Sequence, residues 1–133
     1  MKILKNDMAE SSVETTTATG KWGEEKAASY LKSLGYKIIA RNFKRRGGEL
    51  DIIALDGEIL VIAEVKTLPS GNIETLSHEL NLRKQKRIIE TSKRFIQMNR
   101  QYNDSIIRFD VLVIDMPGFP DVYHIKDAFS ELV

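Results

Sequence analysis

The chain has 133 residues and no cysteine, which suits one domain with its own core and excludes disulfides, thiolate metal sites and cysteine nucleophiles. Hydrophobic residues make up 42% and charged residues 29% of the chain, so we expect a folded protein, and no apolar run is long enough to span a bilayer. The formal net charge is only +1, and because no apolar signal segment follows Met1 we expect a cytoplasmic location.

The apolar pattern indicates helices and strands in alternation, after a first segment that has no such pattern. Residues 1–19 are rich in Ser, Thr, Ala and acids, so we expect a disordered tail followed by one domain over residues 20–133. The predicted elements are a helix from about Gly20 to Leu34, strands over 37–43, 50–55 and 59–66, a loop over 67–79, a helix over 81–102, a strand over 106–114, a short strand over 122–125, and a terminal turn or helix over 127–132. This order predicts an α/β domain in which helices pack on a mixed sheet.

A tight turn at Asp56-Gly57 is predicted to join the second and third strands. Leu55 would then pair with Glu58, and successive side chains would point to opposite faces of the sheet. One face would be wholly apolar and would carry Leu50, Ile52, Ala54, Val61, Ala63 and Val65.

The other face of this hairpin collects acidic side chains and a lysine. Glu49 would face Glu64, Asp51 would be the diagonal neighbour of Glu64 at about 7–8 Å between Cα atoms, and Lys66 would follow on the same face. Crowded carboxylates share protons, bind a cation or are held apart, and Mg²⁺ takes one or two carboxylates with water and phosphate in its other positions. The alternative is a polar sheet end in which Lys66 forms a solvated salt bridge.

Glu24 adds a further acid from the first helix. It precedes Ala27, Ala28 and Leu31 at helical spacing, so it belongs to the inward stripe, whereas Glu25 points elsewhere. The helix dipole explains an acid near the start of the helix but not its inward position.

Positive charge is concentrated in two segments of the chain. Residues 37–46 carry five basic side chains and no acid, and residues 83–100 carry seven against one acid. Such clustering is typical of a surface that binds phosphates, although it also suits a solvated helix and loop. The candidate nucleic-acid-binding residues are Arg41, Lys44, Arg45, Arg46, Arg83, Lys84, Lys86 and Arg87.

Seven short motifs together resemble one known family. In chain order they are Gly20-Lys-Trp-Gly-Glu-Glu, Leu34-Gly-Tyr, Arg41-Asn-Phe, Gly48-Glu-Leu-Asp51, Glu64-Val-Lys66, Arg83-Lys-Gln-Lys-Arg and Arg108-Phe-Asp110. Over about residues 20–114 the chain resembles the YraN-type family, whose function is not established. That family is similar to archaeal Holliday-junction resolvases of the PD-(D/E)XK nuclease superfamily. The resemblance implies a restriction-endonuclease-like core.

The resemblance also implies a site and an activity. Asp51 corresponds to the metal-binding acid of the superfamily, Glu64 and Lys66 to its Glu-x-Lys, and Glu24 to the helix-one acid of the resolvase-like branch; the carbonyl of Val65 is a usual further metal ligand. The implied activity is Mg²⁺- or Mn²⁺-dependent cleavage of branched or structured DNA by a protein that works as a homodimer. Two alternatives stay open: a nuclease-fold DNA-binding or adaptor protein without useful cleavage, and a role in RNA processing.

Two positions depart from the pattern of the superfamily and the family. Leu50 replaces the proline before the metal-binding acid, as is common in the resolvase-like branch. Leu68 occupies a place where the family often has an arginine, which would weaken or rearrange DNA binding if that arginine contacts phosphate.

Other candidate residues carry weaker signals. His78 and His124 are far apart in sequence, so a histidine-based metal site or dyad has little support, and His78 is expected to be solvated. Trp22 is interpreted as a core anchor or as a base-stacking residue. Asp110 is interpreted as a structural partner of Arg108 on the same strand.

Overall fold

The computed structural model describes the main chain of residues 5–131 and the side chains of residues 18–131. Its elements are α1 (Lys5–Ser33), β1 (Lys37–Arg45), β2 (Gly48–Asp56), β3 (Ile59–Thr67), α2 (Ile73–Glu79), α3 (Leu82–Met98), a 3₁₀ turn (Arg100–Tyr102), β4 (Ile107–Ile114) and β5 (Val122–Phe129). The strands form one sheet in the order β1-β2-β3-β4-β5, in which β3 and β4 are parallel and all other neighbours antiparallel. The predicted α/β class with a mixed sheet is therefore confirmed, and the architecture is consistent with a restriction-endonuclease-like core.

Each face of the sheet is covered by a long helix. The apolar cluster under α1 contains Ala27, Ala28, Leu31, Tyr36, Ile52, Ala54, Val61, Ala63, Leu112 and Ile114. The cluster under α3 contains Leu50, Ile53, Leu60, Ile62, Ile88, Ile89, Phe95 and Phe109. Each large side chain buried in this way stabilises the fold by about 1.5–3 kcal/mol, so the two helices are held chiefly by these apolar contacts.

Helix α1 begins at Lys5, so the predicted start near Gly20 was wrong. Residues 5–19 lack apolar periodicity, but they contain neither proline nor glycine, the two residues that most strongly disfavour a helix. The predicted domain boundary at residue 20 therefore falls inside α1, and residues 1–4 of the predicted tail lie outside the described residues.

Two other segments differ from their predicted structure. Residues 67–79 were predicted to be a loop, but they include α2, which begins with a capping box between Asn72 and Thr75 and buries only Leu76. The terminal turn or helix predicted over 127–132 was also wrong, because β5 continues to Phe129, whose ring stacks on Phe109 at 5.1 Å. Both segments are stabilised by a few specific contacts, which apolar periodicity does not detect.

The β2–β3 hairpin is shifted by two residues from the predicted pairing, because Leu55 pairs with Leu60 rather than with Glu58. The two turn residues are Gly57 and Glu58. Gly57 has φ +62°, as expected for the first central position of a tight hairpin turn that requires glycine. Asp56 therefore stays in β2.

Because this shift is even, the predicted division of the hairpin into two faces is retained with one exception. Leu50 was predicted to share a face with Ile52, but it packs with Ile53 in the cluster under α3. The alternation of β2 is thus interrupted at Asp51, beyond the last regular β2–β3 pair, which is formed by Ile52 and Ala63. This interruption marks the position of the candidate site.

Candidate active site

A groove of about 580 Å³ lies where the regular pairing of β2 and β3 ends, between α1 and the start of α3. We call it the acidic groove. Its lining includes all four residues predicted to be catalytic, together with the predicted metal ligand Val65: Glu24 from α1, Asp51 from β2, and Glu64, Val65 and Lys66 from β3.

Asp51 is held at the level of β3 by a hydrogen bond from main chain to side chain. The Val65 N–H donates to Asp51 Oδ2 at 2.9 Å. The carboxylate thereby serves as the acceptor for an N–H beyond the regular ladder, and a buried N–H needs such a partner. The hydrogen bond therefore orients the Asp51 carboxylate at the position where the alternation of β2 is interrupted.

Glu64 is the buried member of the acidic pair, with only 4% of its surface exposed. Burial and the neighbouring negative charge of Asp51 raise the pKa of Glu64 to about 7, although the ammonium groups of Lys84 and Lys66 oppose the rise. These two Nζ atoms lie 3.5 Å and 3.6 Å from Glu64 Oε2. The protonated form of Glu64 is therefore favoured well above the pH at which an exposed glutamate ionises, and a cation near it would favour its ionised form.

Helix α1 approaches the end of β3 closely at Gly23. A Cβ added at Gly23 would overlap the hydroxyl group of Thr67, so the close approach requires glycine here. The next residue, Glu24, consequently lies in the acidic groove, as its inward position in the sequence predicted. Burial and the charge of Asp51 raise the pKa of Glu24, while a hydrogen bond with Asn42 lowers it.

The third carboxylate beside Glu64 and Lys66 is not the one that was predicted. Glu49 was expected to face Glu64, but the two-residue shift of the hairpin moves it out of the acidic groove. Glu79, at the end of α2, lies there instead, with its Oε1 3.7 Å from Lys66 Nζ. Sequence reasoning missed Glu79 because α2 was interpreted as a loop; the Asn72-x-x-Thr75 capping pattern was the signal that could have located the helix.

Among the side chains of residues 18–131, no group of three or more His, Asp or Glu residues is arranged to hold a metal ion. Two carboxylates, those of Asp51 and Glu64, are nevertheless adjacent, and the pKa of Glu64 is raised. Oxygen donors of this kind suit Mg²⁺, which binds through one or two carboxylates and retains water. The donor set therefore fits a divalent ion, in competition with the two lysines.

The candidate phosphate-binding residues do not form a single surface. Four of them, Lys44, Arg45, Lys84 and Arg87, line a second groove of about 550 Å³ that also contains Gly47, Gly48, Glu49 and Ile88. We call it the basic groove. Lys84 lines both grooves, and no sequence pattern indicated this double position.

The other four candidates lie elsewhere. Lys86 is exposed and lines a hollow beside Glu131, away from both grooves, and Arg83 is exposed at the start of α3. Arg46 is exposed, and its carbonyl accepts a hydrogen bond from Arg94 Nη1. Arg41 lies 3.1 Å from Glu25. On α3, basic residues that are neighbours in sequence therefore point to different sides of the helix.

Of the residues with weaker sequence signals, Asp110 and His124 contact each other, whereas Trp22 and His78 are exposed. Asp110 is fully buried and bonded to Arg108, as predicted, and His124 also contacts it, at 2.8 Å. Trp22 is 51% exposed with Lys26 Nζ 4.6 Å from its ring centroid, so its interpretation as a core anchor was wrong. His78 is exposed, as predicted.

Leu68, at the position where the related family often has an arginine, belongs to the apolar cluster under α2. It is 7% exposed and packs in the same cluster as Leu76 and Met116. Leu68 lines neither groove, so its side chain contributes to the core rather than to either candidate surface.

Residues 23–114 match the model of the uncharacterised protein family UPF0102, which is the YraN-type family that the motifs resemble. The chain belongs to this family. A UPF0102 protein of Treponema denticola is 42% identical, over 84% of this chain and 95% of its own length. A second, from Treponema pallidum, is 43% identical over 86% and 94%, and a third, from Geobacter metallireducens, is 40% identical over 84% and 91%. No described helix is long and apolar enough to cross a membrane.

Proposed function

We propose that the chain is a divalent-metal-dependent endonuclease that hydrolyses phosphodiester bonds of branched or structured DNA. The observation that carries this proposal is the buried Glu64 beside Asp51 in an open groove, with the ammonium group of Lys66 3.6 Å from Glu64 in the same groove. A carboxyl group whose pKa burial and a like charge raise to about 7 is costly to maintain, and such groups concentrate at functional sites.

The acidic pair would hold the ion. Asp51 and Glu64 would contribute carboxylate oxygens, and the carbonyl of Val65 would contribute a main-chain oxygen. A bound Mg²⁺ or Mn²⁺ would polarise a phosphate oxygen and lower the pKa of a water molecule in the groove. The hydrogen bond from the Val65 N–H to Asp51 orients the carboxylate before any ligand arrives.

Two further residues would act on the substrate side. Lys66 reaches into the acidic groove with 18% of its side chain exposed, so its ammonium group is partly desolvated and can stabilise the negative charge that develops on the non-bridging phosphate oxygens. Glu24, whose pKa is raised by burial and by Asp51, would act through water, either orienting it or accepting a proton. The basic groove beside this site would attract the phosphate backbone.

The decisive test is cleavage of linear, flapped and four-way DNA, with matching RNA substrates, in Mg²⁺ or Mn²⁺. We expect Asp51→Asn to abolish cleavage and the ion-dependent rise in melting temperature, because the ion loses one of its two carboxylates. Asp104→Asn is the matched control, since Asp104 is exposed in the segment before β4. An unchanged Mn²⁺ titration in Asp51→Asn would remove the metal site from the proposal, and preferential cutting of RNA would change its substrate.

Lys66→Ala tests the chemical step separately. We expect cleavage to fall by about 10²–10³-fold, as for other single electrostatic donors, while DNA binding changes little, because the lysine acts on charge present mainly in the transition state. Melting temperature is measured on the same samples. Undiminished cleavage in Lys66→Ala would contradict the assigned role.

One observation favours the alternative of a DNA-binding or adaptor protein. Lys66 lies between Glu64 and Glu79, and Lys84 also contacts Glu64, so lysines supply counter-charge to the acids without an ion. This reading predicts that wild type cuts no substrate with either ion, and that Lys66→Ala lowers the melting temperature. Together, these two results would rule out the endonuclease proposal and support the adaptor proposal.

A further inference from the structure

Lys84 lies between the two grooves. It is in the first turn of α3, where its main-chain N–H donates to the side chain of Asn81, the residue that caps the helix, at 3.0 Å. Its side chain is 35% exposed and extends to within 3.5 Å of Glu64 Oε2. The same side chain lines the basic groove. A ligand that spans both grooves would therefore meet Lys84 at the boundary.

Helix stability does not account for this lysine. The first turn of α3 contains no acidic residue, and a cation at that end of a helix is opposed by the helix dipole. The contact with Glu64 offsets part of this cost but leaves one face of Lys84 open to the basic groove. An anion entering from that side would complete the surroundings of the ammonium group.

The wall of the basic groove opposite α3 is held in place by contacts with that helix. Arg45, the last residue of β1, lies over the ring of Phe43 at 4.5 Å and contacts the sulfur of Met98. The next residue, Arg46, accepts a hydrogen bond from Arg94 of α3 through its carbonyl at 2.9 Å. Cations fixed in this way lose little conformational freedom when a ligand binds.

Arg87 completes the basic groove on the α3 side. It follows Lys84 by three residues, so the two side chains lie on the same face of the helix. Lys86 lies on another face, beside Leu82 and Glu131. The positive charge of α3 that faces the two grooves is therefore carried by Lys84 and Arg87.

We propose that Lys84 contacts the phosphate that is cleaved, and that Arg87 and Arg45 bind the neighbouring phosphate of the same strand in the basic groove. The assignment of the cleaved phosphate rests on the proposed endonuclease function. The DNA backbone then crosses the start of α3, and Lys84 exchanges its contact with Glu64 for a contact with phosphate. Lys86 does not contact this strand.

Two variants of α3 test this assignment at equal charge. Lys84→Ala and Lys86→Ala each remove one positive charge from the same helix, so a general electrostatic effect would be the same in both. Binding to a flapped DNA is measured over a range of salt concentrations with EDTA present, so that no cleavage occurs. We expect Lys84→Ala to weaken binding several-fold and to reduce the slope of log K against log salt by about 0.9, whereas Lys86→Ala leaves the slope unchanged.

Arg87→Ala provides a second variant if Lys84→Ala melts at a lower temperature than wild type. Arg87 is exposed, and its replacement should also reduce the slope by about 0.9. Equal slopes in the Lys84, Arg87 and Lys86 variants, or no binding by wild type, would overturn the proposed path. If wild type binds DNA but cuts none with Mg²⁺ or Mn²⁺, the endonuclease function fails, while the slopes still decide the path.

In cleavage assays, Lys84→Ala should lose more rate than its weaker binding explains, and this is measured at saturating DNA. Lys84→Arg keeps a phosphate contact and should restore the slope. Cleavage by Lys84→Ala at the wild-type rate under saturation would limit Lys84 to binding and overturn its contact with the cleaved phosphate.

Discussion

Two buried carboxyl groups on neighbouring strands have opposite ionisation. Asp110 of β4 pairs with Ala63 of β3, so it lies next to the strand residue that precedes Glu64. Both side chains are almost inaccessible, at 0% and 4% exposure. The pKa of Asp110 is lowered to about 2, whereas the pKa of Glu64 is raised to about 7. Burial is common to both, so it cannot explain the difference.

The difference between the two pKa values comes from the hydrogen-bond donors around each carboxyl group. Burial alone would raise the pKa of Asp110, but hydrogen bonds with His124, Arg108 and the main-chain N–H of Asp127 outweigh that effect. These contacts are between 2.8 and 3.0 Å long. Glu64 instead has lysines at 3.5 and 3.6 Å and a second acid beside it. A buried acid with many close donors stabilises the fold, whereas one with few is available to bind a ligand.

The largest expected effect comes from removing the Asp110 carboxylate, which has several close hydrogen-bond donors. Asp110→Asn should lower the free energy of unfolding by about 3–5 kcal/mol, because it removes the fully buried carboxylate that accepts two hydrogen bonds from the half-buried Arg108 and one from the Asp127 N–H. Urea unfolding at pH 7 measures this. Asp115→Asn is the matched control: it removes a partly exposed ion pair with Lys26 and should cost less than about 1 kcal/mol.

The pH dependence of wild type provides a second measurement of the same site. The lowered pKa of Asp110 means that its stabilisation is present above the unfolded pKa of about 3.9 and is lost as the pH falls towards about 2. Asp110→Asn should lack this acid-sensitive component. Equal losses of stability in the Asp110 and Asp115 variants would contradict the structural role of Asp110.

Sequence alone predicted part of each site, for reasons that these residues make clear. Arg108 and Asp110 alternate on one strand, so their pairing could be predicted locally. His124 could not, because it reaches Asp110 only through the pairing of β4 with β5, which is irregular between Phe109 and Val111. The spacing of apolar residues in the sequence does not predict the register of such an irregular strand pair.

The proximity of Asp51 and Glu64 was predicted for a different reason. The hairpin register was wrong by two residues, but an even shift preserves the faces, so Asp51 and Glu64 were still brought together. Glu49 was misplaced by the same shift. Lys84 could not be separated from Lys86 by sequence, because that depends on the rotation of α3 against the sheet.

A smaller effect of opposite sign is expected at Glu64. Because its pKa rises from the ordinary value of 4.5 to about 7, the folded metal-free protein binds more protons than the unfolded chain in this range. Stability should therefore fall as the pH rises through that window, by about 3 kcal/mol in all. Glu64→Gln should remove this slope, as measured by urea unfolding from pH 4 to pH 9 in EDTA.

Glu58→Gln serves as the control for that titration, since Glu58 is exposed in the hairpin turn and its replacement should leave the slope intact. A divalent ion should flatten the wild-type slope because it favours the ionised carboxylate. If the dependence of unfolding free energy on pH persists in Glu64→Gln, another group titrates in this pH range. The raised pKa of Glu64 is then not the cause of that dependence.

The smallest effect is expected when Arg108 loses one hydrogen-bond acceptor but keeps Asp110. The Tyr36 hydroxyl accepts a hydrogen bond from Arg108 Nη2 at 2.7 Å, and the same nitrogen also donates to Asp110. Tyr36→Phe should therefore cost about 1.5–3 kcal/mol of unfolding free energy, the usual value for a hydrogen bond to a charged group, and should leave the acid-sensitive component in place. Tyr123→Phe is the control, because the Tyr123 hydroxyl makes no side-chain hydrogen bond to the described residues. A loss as large as that of Asp110→Asn would mean that Tyr36, rather than the number of donors around the carboxylate, keeps this site ionised.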